Sequence, residues 1–158
     1  MKRFFLSIIL SKNGEEIEIL NARSEHLNSV KEILQLNHLP LIGVEDQFSN
    51  YFILQLNADI IGVIGLEIYG DSALIRSFAI IPEFQKKGLG TTLFQQIMEY
   101  AQEKKIKNLY VLTQTAKVFF EKKNFGVVDR NVAPLEIQQS KEFTTACPST
   151  AILLKRAI

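Results

Sequence analysis

The residues with the clearest chemical potential form a short, basic, glycine-containing loop from Gln85 to Gly90. It reads Gln-Lys-Lys-Gly-Leu-Gly and lies between a β-rich segment that stops at Pro82 and an amphipathic helix. Its two glycines let the backbone turn tightly and place no Cβ in the way of a ligand. The first turn of a helix presents free N–H groups and the positive end of the helix dipole. These features suit a phosphate or pyrophosphate, and Lys86 and Lys87 add positive charge beside it.

This spacing differs from the two best-known phosphate-binding fingerprints. A dinucleotide-binding fold uses three glycines in its first strand–helix unit, and a P-loop ends in Gly-Lys followed by Ser or Thr. Neither pattern fits the segment, which is Gln-x-x-Gly-x-Gly. Two interpretations remain from the residues alone. One is a phosphate loop of a third type, and the other is a glycine-containing connection that binds no ligand.

A second pair of chemically capable residues lies in two apolar, β-rich segments nearer the N-terminus. Glu67 is a lone carboxylate within the run 60–69, and Arg76 interrupts the next apolar run. With a two-residue hairpin loop at 70–71, Gly65 would pair with Arg76. Glu67 and Arg76 would then be diagonal neighbours on one face, roughly 7–8 Å apart. That separation suits an amino acid held between a proton acceptor and a carboxylate-binding guanidinium.

Three alternatives to this arrangement stay open. Glu67 and Arg76 could form a structural ion pair, or Glu67 could face solvent near the end of the hairpin. A three-residue loop would instead put the two side chains on opposite faces of the sheet, because a one-residue slip reverses every side chain.

A mixed α/β architecture is needed to position these residues. Segments with strand and helix periodicity follow the order β-α-β-β-β-α-β-α-β-β, preceded by one extra strand. Hairpins link the strands after Asn50, and helices link later ones, so antiparallel and locally parallel pairs are expected. Ser24 is expected to cap the first helix. The predicted fold class is α/β (α+β): one domain with a mixed central sheet of about seven strands flanked by helices.

The N-terminal residues allow two interpretations. Two basic residues followed by the apolar run 4–10 resemble the start of a signal peptide, but the run is short and no small-residue cleavage site follows. A β-hairpin is favoured, because Asn13-Gly14 is the preferred pair for a type I′ turn before the strand 17–20. We therefore expect residues 1–15 to add a strand to a domain spanning 16–158, and the protein to be cytoplasmic.

The composition limits the class of function. The chain has 158 residues, 47% of them hydrophobic, and a formal net charge of +1, which suits one compact domain. A near-neutral charge argues against nucleic-acid binding, and no run of about 20 apolar residues predicts a membrane span. Cys147 is the only cysteine, and His26 and His38 lack motif spacing. Neither an intramolecular disulfide nor a metal site is expected.

The chain resembles the GNAT N-acetyltransferase superfamily from about Glu16 to its end. The resemblance rests on Phe78-Ala79-Ile80-Ile81-Pro82, on the loop Gln85–Gly90, and on the segment from Ala116 to Phe125. In the last segment Asn124 replaces the usual glycine, a mild change because Asn tolerates left-handed backbone. The resemblance implies an acetyl-CoA-dependent N-acetyltransferase, with the cofactor in a gap between splayed parallel strands.

A narrower resemblance is to N-acetyltransferases associated with arsenic-resistance operons and to stand-alone domains similar to N-acetylglutamate synthase. It rests on the segments Gly65–Asp71, Leu74–Ser77, Leu112–Ala116 and Cys147–Ala151. It implies a small-molecule amine as acceptor, specifically one similar to an amino acid. Similar proteins are often homodimers, so a homodimer is the implied assembly.

The resemblance also implies how acetyl-CoA would be held. Main-chain groups of one strand would pair with the pantetheine arm, loop N–H groups would hold the pyrophosphate, and two aromatic residues would lie nearby. The strand residues are Phe78, Ala79 and Ile80, the loop residues are Gln85, Lys86, Lys87, Gly88, Leu89, Gly90 and Thr91, and the aromatic residues are Phe119 and Phe120. The alternatives are core packing for the apolar side chains and solvated charges for the lysines.

The implied reaction needs a base, because an amine is mostly protonated at neutral pH. Glu67 is the candidate base, since burial makes a carboxylate a stronger base. The candidate substrate-binding residues are Arg76, Tyr69 and Ser77. The tyrosine that many family members use as general acid is replaced by Phe120, which cannot donate a proton. Thr113 is the candidate substitute, alongside Tyr69, Cys147, a water molecule or unassisted departure of the thiolate.

Two other functions stay open. A transferase that modifies protein N-termini or lysines would have an acidic or open groove in place of a closed pocket. A non-catalytic acyl-CoA sensor would bind the cofactor without turnover, and the phenylalanine at position 120 favours it. Thiol release measured with a panel of amino acids separates these functions.

Overall fold

The computed structural model describes residues 7–10, 14–146 and 149–158. Within these ranges the chain forms one eight-stranded sheet and four α-helices. In chain order the elements are β1 (Ser7–Leu10), β2 (Glu16–Asn21), α1 (Leu27–Leu36), β3 (Tyr51–Leu56), β4 (Asp59–Tyr69), β5 (Ser72–Ile80), α2 (Leu89–Glu103), β6 (Asn108–Thr113), α3 (Lys117–Glu121), β7 (Gly126–Val128), α4 (Leu135–Gln138) and β8 (Ile152–Ala157).

The strands lie in the order β1-β2-β3-β4-β5-β6-β8-β7. Neighbours from β1 to β5 are antiparallel, β5 and β6 are parallel, and β8 is antiparallel to both β6 and β7. A mixed sheet with flanking helices confirms the predicted fold class. The position of β8 between β6 and β7 was not predicted, and it separates two strands that a helix connects.

The helices cover both faces of the sheet. On β3, Phe52 and Leu54 pack in the core beneath α2, while Tyr51 and Ile53 pack in a second core with residues of α1. This alternation is what the period-two pattern of a strand buried on both faces requires. Towards β6 and β8, the face opposite α2 is completed by Ile137 of α4.

At the N-terminal edge, β1 runs antiparallel to β2, with Ser7 opposite Ile19 and Leu10 opposite Glu16. This pairing agrees with the hairpin interpretation. Residues 4–6 and the turn residues 11–13, Asn13 among them, lie outside the described residues, as does Cys147.

The hairpin between β4 and β5 has the register that a two-residue loop predicts. Tyr69 is opposite Ser72 and Gly65 is opposite Arg76, and Gly70 in the loop has a left-handed φ of 65°. The register then shifts by one residue on β5, where Ser77 has a φ of 55°. A bulge of this kind bends the strand and redirects side chains. It lies where β5 leaves its neighbour β6.

The start of the first helix differs from the prediction. Ser24–His26 form a 3₁₀ turn, and α1 begins after His26 with no side-chain cap, so the Ser24 cap was wrong. The backbone N–H of Arg23 instead donates to His26 Nδ1 at 3.0 Å.

Membrane-spanning helices and metal-binding clusters were two features that the sequence did not predict. None of the helices in the described ranges has the length and apolar character needed to cross a membrane. The same ranges hold no group of three or more side chains suited to bind a metal ion.

Candidate functional site

The site lies where two parallel strands separate. β5 and β6 pair only from Ser72 opposite Asn108 to Ile75 opposite Val111. Beyond that point the edge of β5 that faces β6 is no longer bonded to it, while its other edge stays paired with β4 through Ala79 and Ile80. The split opens a cavity of about 670 Å³. Its wall includes Ser77, Phe78, Ala79, Ile80, Gln85, Lys86, Gly88, Gly90, Thr91, Thr113, Phe119 and Phe120.

The glycine-containing loop closes one end of this cavity. Lys86 and Gly88 both have left-handed φ values, of 62° and 83°, and Gly88 leads directly into α2. The first helical bond is donated by the Thr92 N–H to Gly88 O at 3.2 Å. The N–H groups of residues 89–91 therefore lie at the start of the helix, where they have no intrahelical acceptor. This is the geometry of an anion-binding helix terminus.

Gln85 fixes the loop to the rest of the domain. Its Nε2 donates to Ile80 O at 2.9 Å, at the end of β5, and to Asn37 Oδ1 at 3.3 Å, just after α1. Asn37 also lines the cavity. The glutamine side chain thus ties the loop, the strand and the first helix together.

Two loop residues differ from the others in their surroundings. Lys87 and Leu89 are not among the residues that line this cavity. The Lys87 Nζ lies 5.3 Å from the centre of the Phe84 ring, and the Leu89 side chain, 6% exposed, packs in the core. Leu89 can therefore offer only its backbone N–H to a ligand.

A buried charge cluster forms the other end of the site. Arg76, 2% exposed, donates from Nη1 to Glu67 Oε2 and pairs from Nη2 with Glu142 Oε2, both at 3.1 Å. Its Nη2 also donates to Ile42 O at 2.8 Å, and its Nε donates to Ser77 Oγ at 3.3 Å. The guanidinium is held in one position by four polar groups. We call Glu67, Arg76 and Glu142 the carboxylate–arginine cluster.

The contact between Glu67 and Arg76 corrects the predicted geometry. The predicted space for an amino acid between them is absent, because their side chains meet directly at 3.1 Å. The contact is the ion pair between Glu67 and Arg76 that the sequence left open as an alternative. Arg76 and Ser77 line the cavity, whereas Glu67 and Tyr69 lie behind its wall.

Glu142 was missed by sequence reasoning. It lies in a π-helical turn, Glu142–Ala146, lines the cavity and is 5% exposed. Nothing in the local pattern Lys-Glu-Phe distinguishes this carboxylate from one on a solvated surface. Its burial results from the chain folding back over β5, which no local periodicity encodes.

Two tyrosine hydroxyls support the cluster. Tyr69 donates to Glu67 Oε1 at 2.9 Å, and the Tyr51 hydroxyl lies 3.1 Å from Ser77 Oγ. Burial raises the pKa of Tyr51 to about 12, and burial together with the bond to Glu67 raises the pKa of Tyr69. Both phenols are therefore protonated at neutral pH and act as hydrogen-bond donors or neutral partners.

The raised pKa of Tyr51 predicts a loss of stability in alkali. A tyrosine in the unfolded chain ionises near pH 10, while the folded chain keeps this proton to about pH 12. Stability must fall between those values, because the unfolded state has then lost a proton that the folded state retains. The contribution of Tyr51 is roughly 2–3 kcal/mol. Urea unfolding at pH 9 and pH 11.5 should show a smaller decline for Tyr51→Phe, and an equal decline in both proteins would contradict this prediction.

The short helix α3 contributes a cluster of aromatic rings. Phe120 is 2% exposed and packs edge-to-face against Phe119 and Phe78 at centroid distances of 5.2 and 6.1 Å. Thr113, at the end of β6, accepts N–H bonds at its Oγ1 from Thr115 and Ala116, at 3.2 and 2.9 Å. Thr113 and Phe120 both line the cavity, and of the two only Thr113 carries a hydroxyl.

This fold and site define an acetyltransferase of the GNAT type, and comparison with known proteins agrees. The Acetyltransferase (GNAT) family model matches residues 16–126. The chain belongs to this family.

One curated relative is named for a protein acceptor. A putative [ribosomal protein bS18]-alanine N-acetyltransferase of Bacillus subtilis is 32% identical over 66 residues, which cover 42% of this chain and 44% of that protein. The chain therefore spans less than half of this relative.

Two solved structures share the fold. N-acetylglutamate synthase of Neisseria gonorrhoeae, complexed with coenzyme A and N-acetyl-glutamate, has a TM-score of 0.77 and 19% identity over 89% of this chain and 35% of that one. The ribosomal-protein-S18-alanine N-acetyltransferase of Escherichia coli has a TM-score of 0.66 and 18% identity over 90% of this chain and 94% of that one.

Proposed function

We propose that the protein is an acetyl-CoA-dependent N-acetyltransferase that transfers the acetyl group directly to the amine of a small acceptor. The observation that carries this proposal is one continuous cavity between β5 and β6. It joins an anion-binding helix terminus at one end to a carboxylate–arginine cluster at the other. Acetyl-CoA is a long cofactor, so its diphosphate can lie at the helix terminus while its thioester lies near the cluster.

We propose that the loop holds the diphosphate and that β5 holds the arm. The N–H groups of Gly88, Leu89, Gly90 and Thr91 would donate to the diphosphate, with Lys86 adding charge. The edge of β5 from Phe78 to Ile80 is free of β6, so its main-chain groups can pair with amides of the pantetheine arm. Phe119 and Phe120 would cover the arm. This arrangement uses the backbone of β5 and leaves its side chains to the core.

The chemical step would be nucleophilic attack by the neutral amine on the thioester carbonyl. A C–N bond forms, the C–S bond breaks, and coenzyme A leaves as the thiolate. The nitrogen loses one further proton to solvent, and the thiolate takes up one proton from solvent. The acceptor must first give up a proton, and we propose Glu67 as its recipient. Since Glu67 does not line the cavity, the proton would have to pass through a water molecule, a relay that general-base catalysis allows.

We propose that Thr113 stabilises the leaving thiolate by donating a hydrogen bond to it from its hydroxyl, while the proton that coenzyme A takes up comes from solvent. Its oxygen already accepts two backbone N–H bonds, so its own hydroxyl proton can be donated towards the cavity. Phe120 occupies the helix position without any donor. This assignment explains how release of the thiolate can be assisted without the tyrosine.

Thr113→Val is expected to lower kcat by about tenfold, the weight of one hydrogen bond of about 1.4 kcal/mol in the transition state. Thr113→Ser keeps the hydroxyl and should retain most of the activity. The measurement is initial-rate thiol release at saturating acetyl-CoA. Equal rates for the valine and serine variants would rule out a role for the hydroxyl.

The acceptor is open between two kinds of amine. The gonococcal synthase was solved with N-acetyl-glutamate, which supports an amino-acid-like acceptor. The Bacillus subtilis and Escherichia coli proteins are named for an alanine of a ribosomal protein, which supports a peptide N-terminus. Membership of the arsenic-resistance subgroup stays a proposal. The division into an N-terminal strand extension, residues 1–15, and a transferase domain, residues 16–158, also stays a proposal, and it is supported by the start of the family match at residue 16.

Thiol release and calorimetry together test the proposed function. Purified protein is titrated with acetyl-CoA, then incubated with it and a panel of amino acids, amino-acid amides and short peptides. One-to-one binding followed by amine-dependent thiol release supports an N-acetyltransferase. Binding without release from any acceptor would instead support a non-catalytic acyl-CoA sensor, and absence of binding would reject both.

A further inference from the structure

The carboxylate–arginine cluster has a charge imbalance that bears on the acceptor. One guanidinium lies between two carboxylates, each 3.1 Å from one of its nitrogens. All three residues are at most 5% exposed, so water screens these charges little. By formal charge, the two carboxylates and the guanidinium together sum to one negative charge, at the end of the cavity that lies away from the loop.

Arg76 is poorly suited to bind a carboxylate of the acceptor. Its Nε and Nη1 already donate to Ser77 and Glu67, and its Nη2 donates to the Ile42 carbonyl and forms an ion pair with Glu142. A carboxylate brought to Arg76 would lie beside two carboxylates in a buried site, where like charges repel strongly. Capture of an acceptor carboxylate would require breaking an existing ion pair.

Glu142 is the anionic member that the cavity exposes. Among the described residues that line the cavity, the charged ones are Arg76, Lys86 and Glu142. Lys86 belongs to the loop at the opposite end. Ile80, at the loop end of β5, is four residue steps along the strand from Arg76, a span of about 13 Å at the rise of a strand. An acceptor at the cluster thus meets the Glu142 carboxylate and the Arg76 guanidinium, and of these two groups the carboxylate suits an ammonium group.

We propose that Glu142 binds the ammonium form of the acceptor and selects amines that carry no carboxylate beside the nitrogen. This inference rests on the proposed function and narrows its substrate class to amino-acid amides, peptide N-termini and simple alkyl amines. Glu142 binds the ammonium group, and Glu67 behind it receives the proton through water. A free α-amino acid is disfavoured because its carboxylate has no cation to pair with.

A matched pair of acceptors tests this selection. L-alaninamide and L-alanine differ in the carboxylate, so we expect kcat/KM for the amide to exceed that for the acid by roughly ten- to a hundredfold, the weight of one charge-assisted contact. L-glutamate and its α-amide form a second pair. A higher kcat/KM for the free amino acid in either pair would overturn the inference, while that same turnover would support the proposed function.

Variants of two glutamates assign the selection to one side chain. Glu142→Gln should raise KM for L-alaninamide about tenfold with a smaller change in kcat, because it removes the charge and keeps the shape. Glu136→Gln, at an exposed position on α4, should change neither value. An unchanged KM in Glu142→Gln would overturn the role of Glu142. Should that variant not fold, Glu142→Asp retains the charge and is expected to retain the preference for the amide.

If no acceptor is turned over, the affinities of the protein for L-alaninamide and L-alanine test the proposed selection. Calorimetry of the coenzyme A-loaded protein with each member of the alanine pair reports the same selection without chemistry. Tighter binding of L-alaninamide supports the inference even though catalysis has failed. Binding of neither compound, or tighter binding of L-alanine, overturns it.

Discussion

Replacing Gly90 by glutamate is expected to weaken coenzyme A binding about 100-fold, a loss of about 3 kcal/mol. Gly90 lies in the first turn of α2 and lines the cavity at the loop. A carboxylate here would compete with the diphosphate for the same N–H groups and repel it. Titration calorimetry of the variant and the unmodified protein with coenzyme A measures the difference.

The fold should tolerate this substitution. A Cβ at Gly90 would lie 3.4 and 3.5 Å from atoms of the Phe78 ring, which is ordinary contact. Glutamate is a better helix former than glycine by about 0.5–1 kcal/mol, and a negative charge stabilises a helix N-terminus. The melting temperature should therefore be unchanged or higher while affinity falls. A general loss of structure would lower both the melting temperature and the affinity for coenzyme A.

Gln95→Glu is the matched control for this variant. Gln95 lies on the same helix, is exposed and does not line the cavity, yet the substitution adds the same charge. It should leave coenzyme A affinity within about twofold of the unmodified value, because exposed charges a turn away are screened by salt. Equal affinities for Gly90→Glu and Gln95→Glu would show that the loop does not hold the diphosphate.

The second large effect is expected from Glu67→Gln, which should lower kcat by on the order of 10³, within the usual range for loss of a general base. Glutamine keeps the volume, its single amide oxygen can accept from Arg76, and its NH2 group can donate to the Tyr69 hydroxyl oxygen, but it cannot take the proton of the acceptor. Coenzyme A affinity should stay constant, since Glu67 does not line the cavity. Stopped-flow or steady-state thiol release at saturating substrates gives kcat.

This result would differ in kind from that of Glu142→Gln. Loss of the proton acceptor lowers kcat, whereas loss of the ammonium-binding carboxylate raises KM for the amine. Glu99→Gln, at an exposed position on α2, serves as the charge-matched control. If Glu67→Gln retained full kcat, the base would have to be sought elsewhere in the cluster.

The elements around the site could be predicted because local patterns determine them. The hairpin register of Gly65 with Arg76 followed from a two-residue loop, and the helix after Gly90 followed from its apolar spacing. The loop between strand and helix was visible from its glycines. Each of these features depends on residues close in sequence, for which strand and helix periodicities are reliable guides.

Long-range packing accounts for what the sequence did not reveal. Glu142 meets Arg76 only because an irregular segment folds over β5, and β8 comes between β6 and β7 only in the assembled sheet. The direct contact of Glu67 with Arg76 depends on side-chain conformations and a shared second carboxylate. The register alone places them as diagonal neighbours and cannot distinguish a gap from an ion pair.

The central claim is that the split between β5 and β6 is the cofactor site. A crystal structure of the protein with coenzyme A tests this claim most directly. We predict the diphosphate within hydrogen-bonding distance of the N–H groups of residues 88–91. The pantetheine arm should lie along β5 from Ile80 towards Ser77, with its sulfur near Thr113 and the carboxylate–arginine cluster. Coenzyme A bound at another surface, with this cavity filled by side chains, would contradict the claim.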